Sequence, residues 1–327
     1  GGSGWGQSVP FPACSYETLE KVRTTIDRHL GPALLGLDAE DAEAIANVLR
    51  RTIAPSFSTG QPIAKAGIDL ALLDLNGRRT GVGAAERLGG TGKGDVTLSW
   101  TVDAATAAEA EAAVAEAGSR GFHHFNLKCG RDARADVTVA AEVRRLAPSA
   151  FIWADANGGY DVETARTVAR KLADLGLAAL EQPLPANLLS GYRELRRDRA
   201  LPILMDEGVV SLTDLREFHQ LGLLDGVAMK VSRCGGLTEA ARVTDYLREN
   251  GLLFFASGLT DPDIAFAASL QLFRGWGLEN PAALNAPQYL SGSILTAPIR
   301  IDGDRAITPT GPGLGVEVDL AKLAALA

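Results

Sequence analysis

From residue 96 onward, short apolar segments recur, and each closes on a polar residue at a nearly constant interval. Those residues are Lys128, Asp155, Glu181, Asp206, Lys230, Asp261 and Asn285, separated by 27, 26, 25, 24, 31 and 24 positions. One strand, one helix and two short loops fill such an interval, so the spacing predicts parallel βα units. The segments are VTLSWTV, HHFNLK, FIWADA, AALEQP, PILMDE, GVAMKVS, LLFFASG and PAALNAP, with amphipathic stretches such as AATAAEAEAAVAEAGSRG and DVETARTVARKLADLG between them. Eight such strands predict an α/β chain closed into a (β/α)8-type barrel, a modified TIM barrel. An open doubly wound sheet lacks support, because no strand runs into a GxGxxG turn.

Residues 1–90 have a different texture. SYETLEKVRTTIDRHLG, DAEDAEAIANVLRRTI and QPIAKAGIDLALLDLNGRR carry apolar residues at helical spacing, and GWGQ is the one strand-like piece. This region is expected to be an α+β capping domain, joined by the glycine-rich ERLGGTGKGD at 86–95 to a barrel over 91–300. The tail, 301–327, is expected to pack back on the cap.

In the barrel, strand-end residues converge at the C-terminal mouth, where barrel enzymes place their sites. Three acids on consecutive strands, Asp155, Glu181 and Asp206, would then point into one small volume. A single strand-end acid is as well explained by capping the next helix. Three in register call for a cation. Oxygen-only ligands favour a hard divalent ion, Mg²⁺ before Mn²⁺. Lys128 falls on the second strand and Lys230 on the sixth, on opposite sides of the mouth. A lysine is ordinarily solvated, but beside a divalent cation and away from bulk water its pKa falls toward neutrality, which suits a general base. None of the four histidines closes a strand, and there is no GxSxG elbow, so a histidine base or a serine triad is not indicated.

Composition excludes other classes. The net charge of −8 has no basic stripe to set against phosphates, so nucleic acid is not an expected partner. No apolar run reaches the roughly 20 residues of a membrane span, and no cleavable leader is visible. Three cysteines without CxxC spacing fit reduced thiols in a cytoplasmic protein.

These residues resemble a known pattern. AKAGIDLALLDLNGRRTG and RLGG are similar to the end of the capping domain of the enolase superfamily, muconate lactonizing enzyme-like subgroup. FNLKCG, DANGG, EQP, MDE and MKVSRCGGLTEA resemble its barrel motifs. The resemblance implies that Asp155, Glu181 and Asp206 ligate Mg²⁺, that Lys128 and Lys230 form an acid/base pair, and that Asn157 and Glu207 support the ligands. It implies a small carboxylate or amino-acid substrate whose α-proton is removed through an enediolate, and a homo-oligomer, since such barrels commonly assemble. Two departures stand out. Asn126 replaces the first lysine of the subgroup's Lys-x-Lys, and the strands and gating loop that usually precede GWGQ are not in this sequence. Asn126, Asp261 and Asn285 are expected to touch substrate, with Asp261 holding a cationic amine; Asn285 and Gln288 stand in place of the Asp-x-Asp of dipeptide epimerases. The narrower resemblance is to cis-3-hydroxy-L-proline dehydratase, implying a lyase. A racemase or epimerase using the same lysines is the alternative, and a catalytically silent metal- or carboxylate-binding protein the third.

Overall fold

The computed structural model describes residues 2–55 and 58–326. The N-terminal region folds as helices: α1 (Leu19–Thr25), a π-turn at Ile26–Leu30, α2 (Gly31–Leu34), α3 (Ala42–Thr52), α4 (Pro62–Thr80) and α5 (Ala84–Arg87). The longest, α4, is fixed at both ends. Its first free N–H groups, at Ile63 and Ala64, donate to the buried Glu17 carboxylate at 2.7 and 3.0 Å. Gly81 ends it in the left-handed region at φ 75°. The strand expected at GWGQ does not form. A Cβ on Gly4 would strike the Ala71 carbonyl and Leu75, and one on Gly6 the Gly67 carbonyl, so these glycines serve close approach to α4 rather than pairing.

The first expected barrel strand divides into β1 (Val96–Thr97) and β2 (Trp100–Val102). There follow α6 (Ala107–Ser119), β3 (Phe125–Lys128), α7 (Ala133–Leu146), β4 (Ile152–Asp155), α8 (Val162–Asp174), β5 (Leu180–Glu181) and α9 (Leu189–Asp198). Then come β6 (Ile203–Met205), α10 (Leu212–Gln220), β7 (Gly226–Met229), α11 (Leu237–Glu249), β8 (Leu253–Ala256) and α12 (Asp263–Gly275). The helices begin where the sequence supplies caps: Thr106, Asp132, Asp161 and Ser211 each accept from an N–H in the first turn.

Strands β2 to β8 form one parallel sheet in sequence order. The eighth expected strand makes two single parallel bridges, Leu98 to Ala282 and Ser257 to Ala283, which join the sheet's two edges. Pro281 and Pro287 bound that segment, and neither can donate to a ladder. Alternation then sorts the side chains. Trp153, Ala179, Leu204, Ala228, Phe255 and Ala283 form a buried cluster inside the barrel, with Trp153 and Phe255 edge to face at 5.8 Å. Their strand neighbours, among them Phe125, Leu127, Leu180, Val227 and Met229, face the helices in the larger core. The polar strand-end residues lie one step beyond the inner apolar cluster.

The glycine-rich segment after α5 is no loose linker: Thr91 and Gly92 donate to the Gly275 carbonyl at 3.1 and 3.0 Å. Past the barrel come α13 (Ala286–Tyr289), β9 (Ile301–Asp302), β10 (Arg305–Ala306) and α14 (Leu320–Ala324). Strands β9 and β10 are a hairpin whose second strand pairs antiparallel with β1. The chain then returns to α4, where Asp74 accepts from Leu314 N–H at 2.9 Å and Arg78 pairs with Glu317 at 2.6 Å. Among the described residues, no helix is long and apolar enough to cross a membrane.

Candidate active site

Asp155, Glu181 and Asp206 end or immediately follow β4, β5 and β6, and all three are almost fully buried. One carboxylate oxygen of each lies within 4.8 Å of the others. Each acid is held differently. Asp155 accepts from Lys128 Nζ at 2.5 Å and from Asn157 N–H at 3.0 Å. Glu181 accepts from Trp153 Nε1 at 2.8 Å through Oε2, while its Oε1 is buried with no hydrogen-bond partner. Asp206 takes Lys230 Nζ on one oxygen and Arg233 on the other.

The electrostatics follow from these contacts. Burial, then the charges of Asp155 and Asp206, push the Glu181 carboxyl well above the usual carboxylate range. Burial alone would raise Asp206 too, but the Arg233 and Lys230 charges outweigh it and hold its carboxyl at about 2. Burial works to lower the Lys128 pKa, and the charges of Asp155 and Glu181 overcome it, so the amine stands above the ordinary lysine value. The side chains alone therefore do the reverse of what a general base at this position requires. The expected lowering needs positive charge among the three acids.

The donor set fits such a charge: three buried carboxylates, all-oxygen, converging, with Glu181 Oε1 unsatisfied. Asn157 and Glu207, just beyond the ligands' strand ends in sequence, are linked by Asn157 Nδ2 donating to Glu207 Oε1 at 2.8 Å. Asn157 also accepts from Lys128 Nζ at 3.2 Å, which its left-handed backbone, φ 44°, allows by turning the side chain back toward the mouth.

Asp261 is tied to two serines. It is buried, accepting from Ser232 Oγ at 2.8 Å and Ser269 Oγ at 3.2 Å. Asn126, two residues before Lys128 on β3, and Asn285, after the bridged segment, each have a buried polar atom lacking a partner. Sequence reasoning missed Arg233, which is buried and links Asp206 to the Cys14 carbonyl of the N-terminal region at 2.8 Å. Its signal was present, an arginine three residues past Lys230 in MKVSRCGG. It also missed Gln182, whose Oε1 accepts from Asp206 N–H at 2.9 Å and Gly208 N–H at 3.1 Å, fixing the turn that carries the third acid.

Known proteins share this arrangement along nearly the whole chain. Residues 105–322 match the enolase C-terminal domain-like family, and residues 1–89 match the mandelate racemase / muconate lactonizing enzyme N-terminal domain. A chloromuconate cycloisomerase of Cupriavidus necator is 28% identical over 326 residues, covering 98% of this chain and 87% of that protein. Muconate cycloisomerase 1 of Rhodococcus opacus is 29% identical, with 98% and 86% covered. The crystal structure of 2-chloromuconate cycloisomerase from Rhodococcus opacus 1CP superposes with a TM-score of 0.91 at 26% identity, covering 99% of this chain and 90% of that one. These relatives are cycloisomerases; the narrower likeness to a hydroxyproline dehydratase finds no support among them.

Proposed function

The chain belongs to the mandelate racemase and muconate lactonizing enzyme family of the enolase superfamily, and from that premise we propose that it moves a proton at the carbon next to a substrate carboxylate, with Lys128 and Lys230 as the two proton carriers. The observation that carries this reading is two amines on opposite sides of one three-acid cluster, Lys128 against Asp155 and Lys230 against Asp206. Asp155, Glu181 and Asp206 would hold Mg²⁺, or Mn²⁺ in its place. The bound ion would supply positive charge to the substrate carboxylate as its α-carbon becomes electron-rich. Lys128 Nζ serves one face of that carbon and Lys230 Nζ the other. Trp153 orients Glu181, Gln182 fixes the Asp206 turn, and Arg233 keeps Asp206 ionised, so the site is ordered before substrate arrives.

The step after proton removal sets the product. Loss of a β-hydroxyl would give dehydration, as the hydroxyproline reading requires. That reading has no support from the relatives, which are named as cycloisomerases. Return of a proton from the opposite lysine gives racemisation or epimerisation, and opposed amines favour it. Cycloisomerisation, the activity for which the relatives are named, would add a carboxylate oxygen across a C=C bond and needs one lysine to deliver a proton to the carbon next to the other carboxylate. We therefore favour an isomerase.

Proton NMR in D₂O with Mg²⁺ tests this, using muconate and its lactone, N-acylamino acids, and proline and hydroxyproline isomers. Loss of an α-proton signal with retained skeleton supports racemisation or epimerisation, and lactone signals support cycloisomerisation. Pyrroline signals would restore the dehydratase. Failure of the wild-type protein to exchange any α-proton across that panel would count against catalysis and for a silent binder.

A further inference from the structure

Away from the acid cluster, a cavity of about 560 Å³ opens where the N-terminal region meets the barrel. Neither the three acids nor the two lysines of the proposed site line it. Four helices each turn one face into it: α3 brings Leu49 and Arg50, α4 Lys65, α10 Arg216 and α11 Arg242. Lys65 stands apart from the rest. It is only 8% exposed, and among the described residues its Nζ has no hydrogen bond and no ion pair. The acid whose charge it feels, Glu17, is already spent on the N–H groups of Ile63 and Ala64 that start α4. Burial lowers the Lys65 pKa from the ordinary lysine value; the Glu17 charge opposes that shift and the Arg50 charge adds to it.

The acids that line the cavity are committed to holding the starts of α10 and α11. Asp69 accepts from Thr238 N–H at 3.1 Å, Glu239 from Leu212 N–H at 3.0 Å, and Asp214 from Ser211 Oγ at 2.8 Å. The cations are not answered in turn. Among the described residues, Arg50 bonds the neutral Asn47 side chain and Arg216 lies over the Tyr246 ring at 5.6 Å, neither with a carboxylate partner. Arg242 comes no closer to Glu239 than 3.6 Å. An ammonium held out of water without a counter-charge is costly, and a bound anion would remove that cost. Ala46 and Leu49, three residues apart on α3, set an apolar surface beside Arg50. The volume is that of a small-molecule site. We propose that this cavity binds a small organic anion, its phosphate or carboxylate head on Lys65 and Arg50 and its apolar body against α3, so that the ligand clasps the N-terminal region to the barrel. Cys234 and Gly235 in its lining directly follow Arg233, the residue that already joins Asp206 to the N-terminal region. The site is independent of the proton-transfer reading, because it uses none of the residues assigned to that reaction.

Isothermal titration calorimetry with phenyl phosphate, benzoate and the neutral benzyl alcohol tests the proposal, on metal-free and on Mg²⁺-loaded protein. At least one of the two anions is expected to bind at one site per chain, with equal affinity in both forms, and about tenfold or more tightly than the alcohol. The tighter of the two identifies the head group. Lys65→Met and Arg50→Gln, each confirmed folded by circular dichroism, should weaken that anion about tenfold. The anion should raise the melting temperature of the wild type and leave that of Lys65→Met where it was. No binding by either anion, an alcohol that binds as well, or variants that bind as the wild type does would each overturn it. Binding that requires Mg²⁺ would overturn it too, by returning the anion to the acid cluster. Binding is read without turnover, so the cavity and the proton-transfer reading fail separately.

Discussion

The mouth of this barrel has two walls of opposite chemistry. On β4 to β6, three carboxylates crowd within 4.8 Å, and one of their oxygens has no partner. On β2, β3 and the bridged segment, Thr101, Asn126 and Asn285 carry no charge, and each has one buried polar atom without a partner. The first wall gathers like charges whose repulsion a cation or a proton would relieve. The second holds neutral donors and acceptors only.

The comparison breaks most visibly at the lysines. Lys128→Met should lower α-proton exchange on the wild type's substrate by about a thousandfold, within the usual range for losing a general base. A loss below tenfold would move the chemistry elsewhere.

Within the acid wall, two carboxylates should respond with opposite sign when no metal is bound. Asp206→Asn leaves Lys230 and Arg233 buried without their counter-charge and should cost about 3–5 kcal/mol in chelator. Glu181→Gln keeps the Trp153 contact and removes a repelled charge, so its melting temperature in chelator should rise, while the increase produced by Mg²⁺ disappears. Thermal unfolding with EDTA and with Mg²⁺ reads both, and equal signs would refute the distinction.

A smaller effect lies behind the wall. Trp153→Phe keeps the bulk inside the barrel and drops the hydrogen bond to Glu181, so Mg²⁺ affinity measured by calorimetry should fall about tenfold.

Asp69 sharpens the comparison from outside, as a half-buried acid away from the three-acid cluster. On α4, it accepts from Thr238 N–H at 3.1 Å, and burial pushes its carboxyl up to about 6. The folded-state pKa lies above the ordinary 3.8, so the stability tied to its proton is complete below about pH 4 and is lost as pH rises through 6. Asp69→Asn should flatten chemical unfolding between pH 4 and 7 and add about 1 kcal/mol above it.

How much of this was legible depended on whether a residue's role was set by its own strand. Lys128, Asp155, Glu181, Asp206 and Lys230 were readable because a period of one βα unit and an alternation of two fix both height and direction. Asp261 followed the same spacing, yet its partners Ser232 and Ser269 come from another strand end and from a helix, and no local pattern announces them. GWGQ has the composition of a strand, and its glycines proved to answer to α4, about sixty residues away in sequence. Thr101 was invisible because an orphaned hydroxyl is defined by what all its neighbours fail to offer.

The hairpin that completes β1 bears on how the molecule comes into being. Val96 pairs with Ala306, and the sheet's edges meet only through Ala282 and Ala283. At about 5–20 residues per second on a ribosome, the first strand waits roughly 10–40 s for its partner. Through that interval β2 is an open edge, joined by β8 once Leu253–Ala256 has emerged, and both can recruit a strand from a neighbouring chain. Nascent copies of this protein are thus most exposed to aggregation late in translation, after the acids and both lysines have emerged and before the ring that holds them can close.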